Sequence, residues 1–131
     1  MSGIYFLTLK DVLAIHDDQL KRYGGRAGFI DENEVKSATA QPQAKMFGQY
    51  LHPDIAMMAA AHLFHFAASQ GFADGNKRTG AATAAEFLAR NGYMLSCGWE
   101  ELYEVTMRVS NNLIEKEEIA DWILDRLVPI P

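Results

Sequence analysis

The run from Ile55 to Ala68 constrains the fold of this chain more than any other stretch. Six of its residues are alanine (Ala56, Ala59, Ala60, Ala61, Ala67 and Ala68), and the rest are apolar apart from His62 and His65. A helix without a polar face has to be enclosed by other elements. Alanine lets those elements approach closely on several sides. The two histidines interrupt the run, and it falls short of the ~20 residues that a membrane span requires. It therefore reads as the central helix of a bundle.

The remaining segments supply the helices that surround it. Thr8-Leu9-Lys10-Asp11 loosely matches a capping box, with Asp in place of Glu. Leu9, Val12, Leu13, His16, Leu20 and Tyr23 then recur at helical spacing up to a stop at Gly24-Gly25. A second helix starts at Asp31, with Glu34 three residues on, and must end before Pro42. His52-Pro53-Asp54 opens the central helix, with Pro in its first turn and an acid at the positive end of its dipole; the helix is expected to run to about Ser69. Gly71–Asn76 is a loop, and a fourth helix from about Lys77 to Arg90 closes at Asn91-Gly92. Trp99–Asn111 and Glu115–Leu127 read as two further helices. Tyr93–Cys97 and Ile4–Leu7 are the segments that could be extended. The expectation is an all-α single domain, residues 1–131, of about six helices.

Composition narrows the function. At 131 residues the chain suits one core, and 49% hydrophobic with 22% charged residues is a globular balance. A net charge of −5 argues against direct nucleic-acid binding, which needs a basic face. The single Cys97 reads as a small apolar residue and suits a reducing compartment. MSGIYFLTLKD has neither a basic start nor a long apolar run, so no signal peptide and a cytoplasmic location are expected.

The loop Gln70-Gly-Phe-Ala-Asp-Gly-Asn-Lys-Arg-Thr-Gly80 carries the chemistry. A glycine-containing turn running into a helix N-terminus gathers unpaired N–H groups at the positive end of a dipole. Gly75 and Asn76 tolerate left-handed backbone angles, which let successive N–H groups converge as an anion nest. Lys77 and Arg78 add two full positive charges, and arginine can grip a phosphate with two parallel bonds. Asp74 fits an anion site if a divalent cation lies between it and the phosphates, as magnesium does. The group thus points to a magnesium–nucleoside triphosphate site. The P-loop pattern fails here at two positions, Asn76 for Gly and Arg78 for Ser or Thr, and no strand precedes it.

Phe72, Asp74, Gly75, Asn76, Lys77 and Arg78, in this order and followed by a helix, resemble the signature H-x-F-x-[DN]-[AG]-N-[KR]-R of the Fic/Doc (Fido) family. VLAIHDDQLKRYGG near the start and KRTGAATAAEFLARNGY extend the likeness over nearly the whole chain, and Lys77 favours the Doc (death-on-curing) branch. The resemblance implies a bacterial toxin that is a protein kinase, transferring the γ-phosphoryl of ATP to a threonine of elongation factor Tu and so blocking translation. The alternatives it leaves are AMP transfer of the Fic type, or a non-catalytic module that binds nucleotide or antitoxin. By the same carry-over Asp74 holds magnesium, Gly75, Asn76, Lys77 and Arg78 bind the phosphates, and Phe72 anchors the loop. A Phd-like antitoxin is implied as partner, its C-terminal helix lying in a groove; the exposed side of Tyr5–Tyr23 and the apolar residues of Met46–Tyr50, in a loop between Pro42 and Pro53, are the candidate surfaces.

The signature opens with a histidine, the general base, and this chain has Gln70 there. An amide has no basicity near neutral pH, although it can orient a hydroxyl. Losing a general base costs about 10²–10⁴ in rate, so the chain is expected to be impaired. His65 and His62, placed by helical geometry on the same helix as position 70, face away from it or lie too far along the axis to take over.

Overall fold

Among the described residues, 3–131, the computed structural model has six α-helices: α1 (Leu9–Tyr23), α2 (Glu32–Ala40), α3 (Ile55–Ala67), α4 (Asn76–Arg90), α5 (Trp99–Ser110) and α6 (Lys116–Leu124). Met1 and Ser2, the first residues of the segment examined for a signal peptide, lie outside them. Two short antiparallel pairs complete the fold, β1 (Lys45–Met46) with β2 (Gln49–Tyr50) and β3 (Tyr93–Leu95) with β4 (Leu127–Pro129). The class is all-α, as expected. No helix of the described residues is long and apolar enough to cross a membrane.

Local chemistry explains the helix starts. Thr8 and Asp11 form a capping box: the Thr8 hydroxyl accepts from the Asp11 N–H at 3.2 Å, and the Asp11 carboxylate accepts from the Thr8 N–H at 2.9 Å. Asp31 caps α2 by accepting from the Asn33 N–H at 3.0 Å, and Asp54 caps α3 by accepting from the Met57 N–H at 2.8 Å. The Asp54 cap places Pro53 ahead of α3 rather than in its first turn.

Four expected boundaries need correction. Helix α3 ends at Ala67, short of Ser69, so Gln70 is not on it. Helix α6 stops at Leu124, because the residues beyond it pair as β4 along β3, with Tyr93 opposite Pro129 and Leu95 opposite Leu127. Ile4–Leu7 is not a strand: Tyr5 exchanges two 2.9 Å hydrogen bonds with the side-chain amide of Asn91, which ties it to the end of α4. Met46–Tyr50, expected as loop, forms the β1–β2 hairpin with Phe47 almost fully exposed at its tip.

Helix α3 is the centre. Ala59, Ala60, Ala61, Leu63 and Phe66 have no exposed surface, and α4 and α6 pack most extensively against it. At the α3–α4 crossing a methyl group on Gly80 would come 2.9 Å from the Leu63 carbonyl oxygen and 3.3 Å from the Ala67 nitrogen. The two backbones touch there. His62 belongs to this core. Its Nδ1 donates to the Met58 carbonyl at 2.8 Å, its ring lies 4.6 Å from that of Phe87, and burial lowers its pKa to about 4. His65 packs toward α6, its Nε2 accepting from Lys116 Nζ at 3.1 Å, and burial followed by the Lys116 charge lowers it to about 4 as well.

Both histidines are bases kept neutral in the folded chain, whereas an unfolded histidine takes up a proton below pH ~6.5. Their contribution to stability is complete above that pH and is lost as the pH falls toward 4. The urea midpoint should therefore drop between pH 7 and pH 4.5, and the drop should be shallower in His65→Gln. A midpoint that stays level across this range would show that the two imidazoles are not desolvated.

Candidate active site

Between α3 and α4 the chain makes a loop whose shape comes from backbone pairing. Phe72 faces Phe29 in a one-residue antiparallel bridge. The N–H groups of Ile30 and Asp31 donate to the Gly71 carbonyl at 2.8 and 3.0 Å, and the Ala73 N–H donates to the Gly28 carbonyl at 2.9 Å. The N–H and C=O of Phe72 itself point the opposite way, and the Asn76 amide takes both. Asn76 Oδ1 accepts from the Phe72 N–H, and Asn76 Nδ2 donates to the Phe72 carbonyl, each at 3.0 Å. The side chain stands in for a neighbouring strand. Below the loop the Phe72 ring is buried against His16, Phe29 and Phe66, so it does not line the site but carries it.

The exit from the loop leaves donors free. Gly75, with φ +82°, leads into α4 without a side-chain cap. Among the described residues no acceptor faces the N–H groups of Gly75, Asn76, Lys77 and Arg78. They border a cleft of ≈ 620 Å³, which Gln70, Asp74, Lys77 and Arg78 also line. The opposite wall is α5 and the turn after it, with Tyr103, Met107 and Asn112. The structure thus brings together every candidate residue named from the sequence, Phe72 excepted.

The two cations in the cleft are not cancelled by carboxylates. Neither Lys77 nor Arg78 has a carboxylate partner among the described residues. The Arg78 guanidinium lies between two aromatic faces, 4.6 Å from the Tyr23 ring centre and 5.1 Å from that of Tyr103. Cation–π contact fixes its position and leaves its charge for a ligand. Asp74 Oδ2 accepts from the Arg26 N–H at 2.8 Å and lies 3.5 Å from Arg26 Nε. That backbone bond, and then the guanidinium, hold the carboxyl below the ordinary carboxylate range. Oδ1 has no protein partner among the described residues. No group of three or more His, Cys, Asp or Glu side chains able to hold a metal ion occurs among them either. One free carboxylate oxygen beside an anion site suits magnesium, which keeps several waters and draws further ligands from phosphate oxygens.

Gln70 is exposed on the cleft wall, beyond the end of α3. His62 and His65 do not line the cleft, which agrees with their dismissal as substitutes, although the shared helix on which that comparison rested ends before position 70. Sequence reasoning missed Arg26, the clamping of Arg78 by Tyr23 and Tyr103, and the α5 wall. Arg26 follows a glycine stop, a place where a chain can turn back toward a neighbouring loop, but nothing in the residues identifies Asp74 as its partner.

A model of the Fic/DOC family matches residues 6–88. The "Protein kinase doc" of Escherichia phage P1 is 30% identical over 117 residues, covering 89% of this chain and 91% of that one. The "Toxin Doc" of Mycolicibacterium smegmatis is 36% identical over 78 residues, 60% of each chain.

The Asn76 clamp can be tested without any ligand. Asn76→Ala leaves the N–H and C=O of Phe72 unpaired in a part-buried place, which should cost about 1–3 kcal/mol in urea denaturation. A loss within experimental error would mean that the loop keeps its shape by other means.

Proposed function

This chain belongs to the Fic/DOC family, and we propose that it is a Doc-type toxin that transfers the γ-phosphoryl group of ATP to a protein hydroxyl. The observation that carries this reading is the cleft itself. Unpaired N–H groups at the start of α4, two uncompensated cations and a carboxylate with a free oxygen surround one space. Phosphoryl transfer asks a protein mainly for positioning and charge stabilisation, and these residues supply both.

In the reaction the target hydroxyl oxygen forms a bond to the γ-phosphorus, the bond from that phosphorus to the β–γ bridging oxygen breaks, and ADP leaves. The N–H groups of Gly75 and Asn76 hold phosphate oxygens, with the remaining Nδ2 hydrogen of Asn76 as a further donor. Lys77 and Arg78 offset charge on the triphosphate. Asp74 would hold magnesium, and the ion would supply neutralisation of charge on the phosphates. Gln70 occupies the place from which the hydroxyl proton is removed in the family. Its amide orients the hydroxyl but cannot take the proton, which passes to solvent water instead, so turnover is slow by about 10²–10⁴.

The target that fits the family is a threonine of elongation factor Tu, and the partner is a Phd-like antitoxin in the cytoplasm of a bacterium. For that partner's helix the exposed side of α1 offers a groove against α4 of about 550 Å³, lined by Ala14, Ile15, Ala82 and Ala85 and by Asp11 and Glu86, both paired with Arg90. A groove of small apolar side chains whose charges are already paired suits the apolar stripe of an amphipathic helix.

Gln70 favours a second reading, a module that binds nucleotide without turnover. Intact-mass measurement of elongation factor Tu after incubation with magnesium-ATP separates the two. The Gln70→His variant should add one phosphate, and the chain with Gln70 far less. Added AMP would assign the chain to Fic-type chemistry, and a target left unmodified by both forms would mean either another protein substrate or the binding module.

A further inference from the structure

His16 of α1 lies beneath the loop and takes no part in the roles assigned so far. We infer that it is a positioning residue, which sets the orientation of the Asp74–Gly75 peptide and thereby aims the Gly75 N–H at the ligand. This inference rests on the cleft being an anion site.

Three observations place it. The His16 ring is buried and stacks face to face on Phe72, with centroids 3.7 Å apart and planes 7° apart. Its Nε2 lies 2.8 Å from the Asp74 carbonyl oxygen. A methyl group on Gly75 would come 3.5 Å from both Cδ2 and Nε2 of the ring, so the imidazole edge lies directly against this peptide.

A carbonyl oxygen only accepts, so Nε2 must carry a hydrogen, and this bond selects the ring's tautomer. A trans peptide is planar, with its C=O and N–H pointing in opposite directions. Tying the Asp74 carbonyl down to His16 therefore turns the Gly75 N–H away from α1, to the side where the cleft lies. Gly75, at φ +82°, is the flexible side of that peptide, and glycine tolerates a flipped arrangement readily. Without a donor at position 16 the peptide could rotate and present its carbonyl oxygen to a phosphate. The stack on Phe72 holds the ring in plane for this bond, and Leu20, one turn further along α1, crowds the same side of Gly75 as the ring, 3.4 Å from where a methyl group would stand. Arg26, just past the end of α1, holds the Asp74 carboxylate through its N–H. One helix and its extension thus control both the carbonyl and the carboxylate of Asp74.

The test separates the donor from the stack. His16→Gln keeps an N–H near the Nε2 position and loses the ring; His16→Phe keeps the ring and loses the donor. Titration with magnesium-ATP, followed by calorimetry and by the Gly75 amide resonance, should show binding within about threefold of the parent for His16→Gln. His16→Phe should weaken it by tenfold or more, since the Gly75 N–H would no longer be held toward a phosphate oxygen. Equal affinity for His16→Phe and the parent, or a loss shared equally by both variants, would overturn the inference. A second readout does not depend on the nucleotide. In the unliganded parent, long-range nitrogen–proton correlation should find the His16 hydrogen on Nε2, and the Gly75 amide should move markedly in His16→Phe. If the parent binds no ATP, the nucleotide reading fails while this readout still decides the peptide claim; a ring protonated only on Nδ1 would end it.

Discussion

At Gly80 the backbone of α4 meets that of α3, with no room for even a methyl group between Gly80 and the Leu63 carbonyl. Such an approach is possible because the facing residues are small, including Ala59, Ala60, Ala81 and Ala84, all fully buried. Close-packed backbones gain dispersion contacts along the whole crossing. The crossing also fixes the distance between the end of α3 and the start of α4. Residues 68–75 have to bridge that distance, and they have no space for regular structure of their own. The loop is therefore held from outside, by the strand-like segment at Gly28–Asp31, by Asn76 and by α1.

Holding the loop in this way leaves its functional groups unused by the protein. The N–H groups at the start of α4 lack a side-chain cap, Arg78 is steadied by aromatic faces rather than by a carboxylate, and Asp74 engages Arg26 with one oxygen only. Each arrangement orders a group and leaves part of it open: the N–H groups and the Arg78 charge are unpaired, and Asp74 keeps one oxygen free beside its ion pair with Arg26. Donors fixed before the ligand arrives need no reorganisation when charge develops, and this is the form in which they stabilise it best. The price is borne by scaffold residues such as His16, Phe72 and Asn76, buried or part-buried polar and aromatic groups that must all be satisfied together.

Features whose cause is local could be read in the chain. Thr8 with Asp11, Asp31 and Asp54 act on N–H groups two or three residues away, so the capping signals translate directly into helix starts. The alanine run could be recognised as central because an all-apolar helix has no alternative. Asp74, Lys77 and Arg78 could be placed at one site because the loop is short. Features that depend on distant partners could not be read. Leu127–Pro129 becomes a strand only because Tyr93–Leu95 lies beside it, and the hairpin at Lys45–Tyr50 has two residues per strand, too few to show a period. Asn76 was read as a phosphate ligand, but most of its amide is spent on Phe72, a use that depends on the bridge to Phe29. Tyr103 sits on a helix whose residues give no sign of facing the loop.

The central claim is that the cleft between the loop and α5 is a magnesium–nucleotide site, whatever Gln70 does to turnover. Calorimetric titration of ATP into this chain, with and without magnesium, tests it most directly. Saturable binding that requires magnesium and is lost when Asp74→Asn removes the carboxylate charge is the expected result. Absence of binding, or binding indifferent to both magnesium and Asp74, would contradict it.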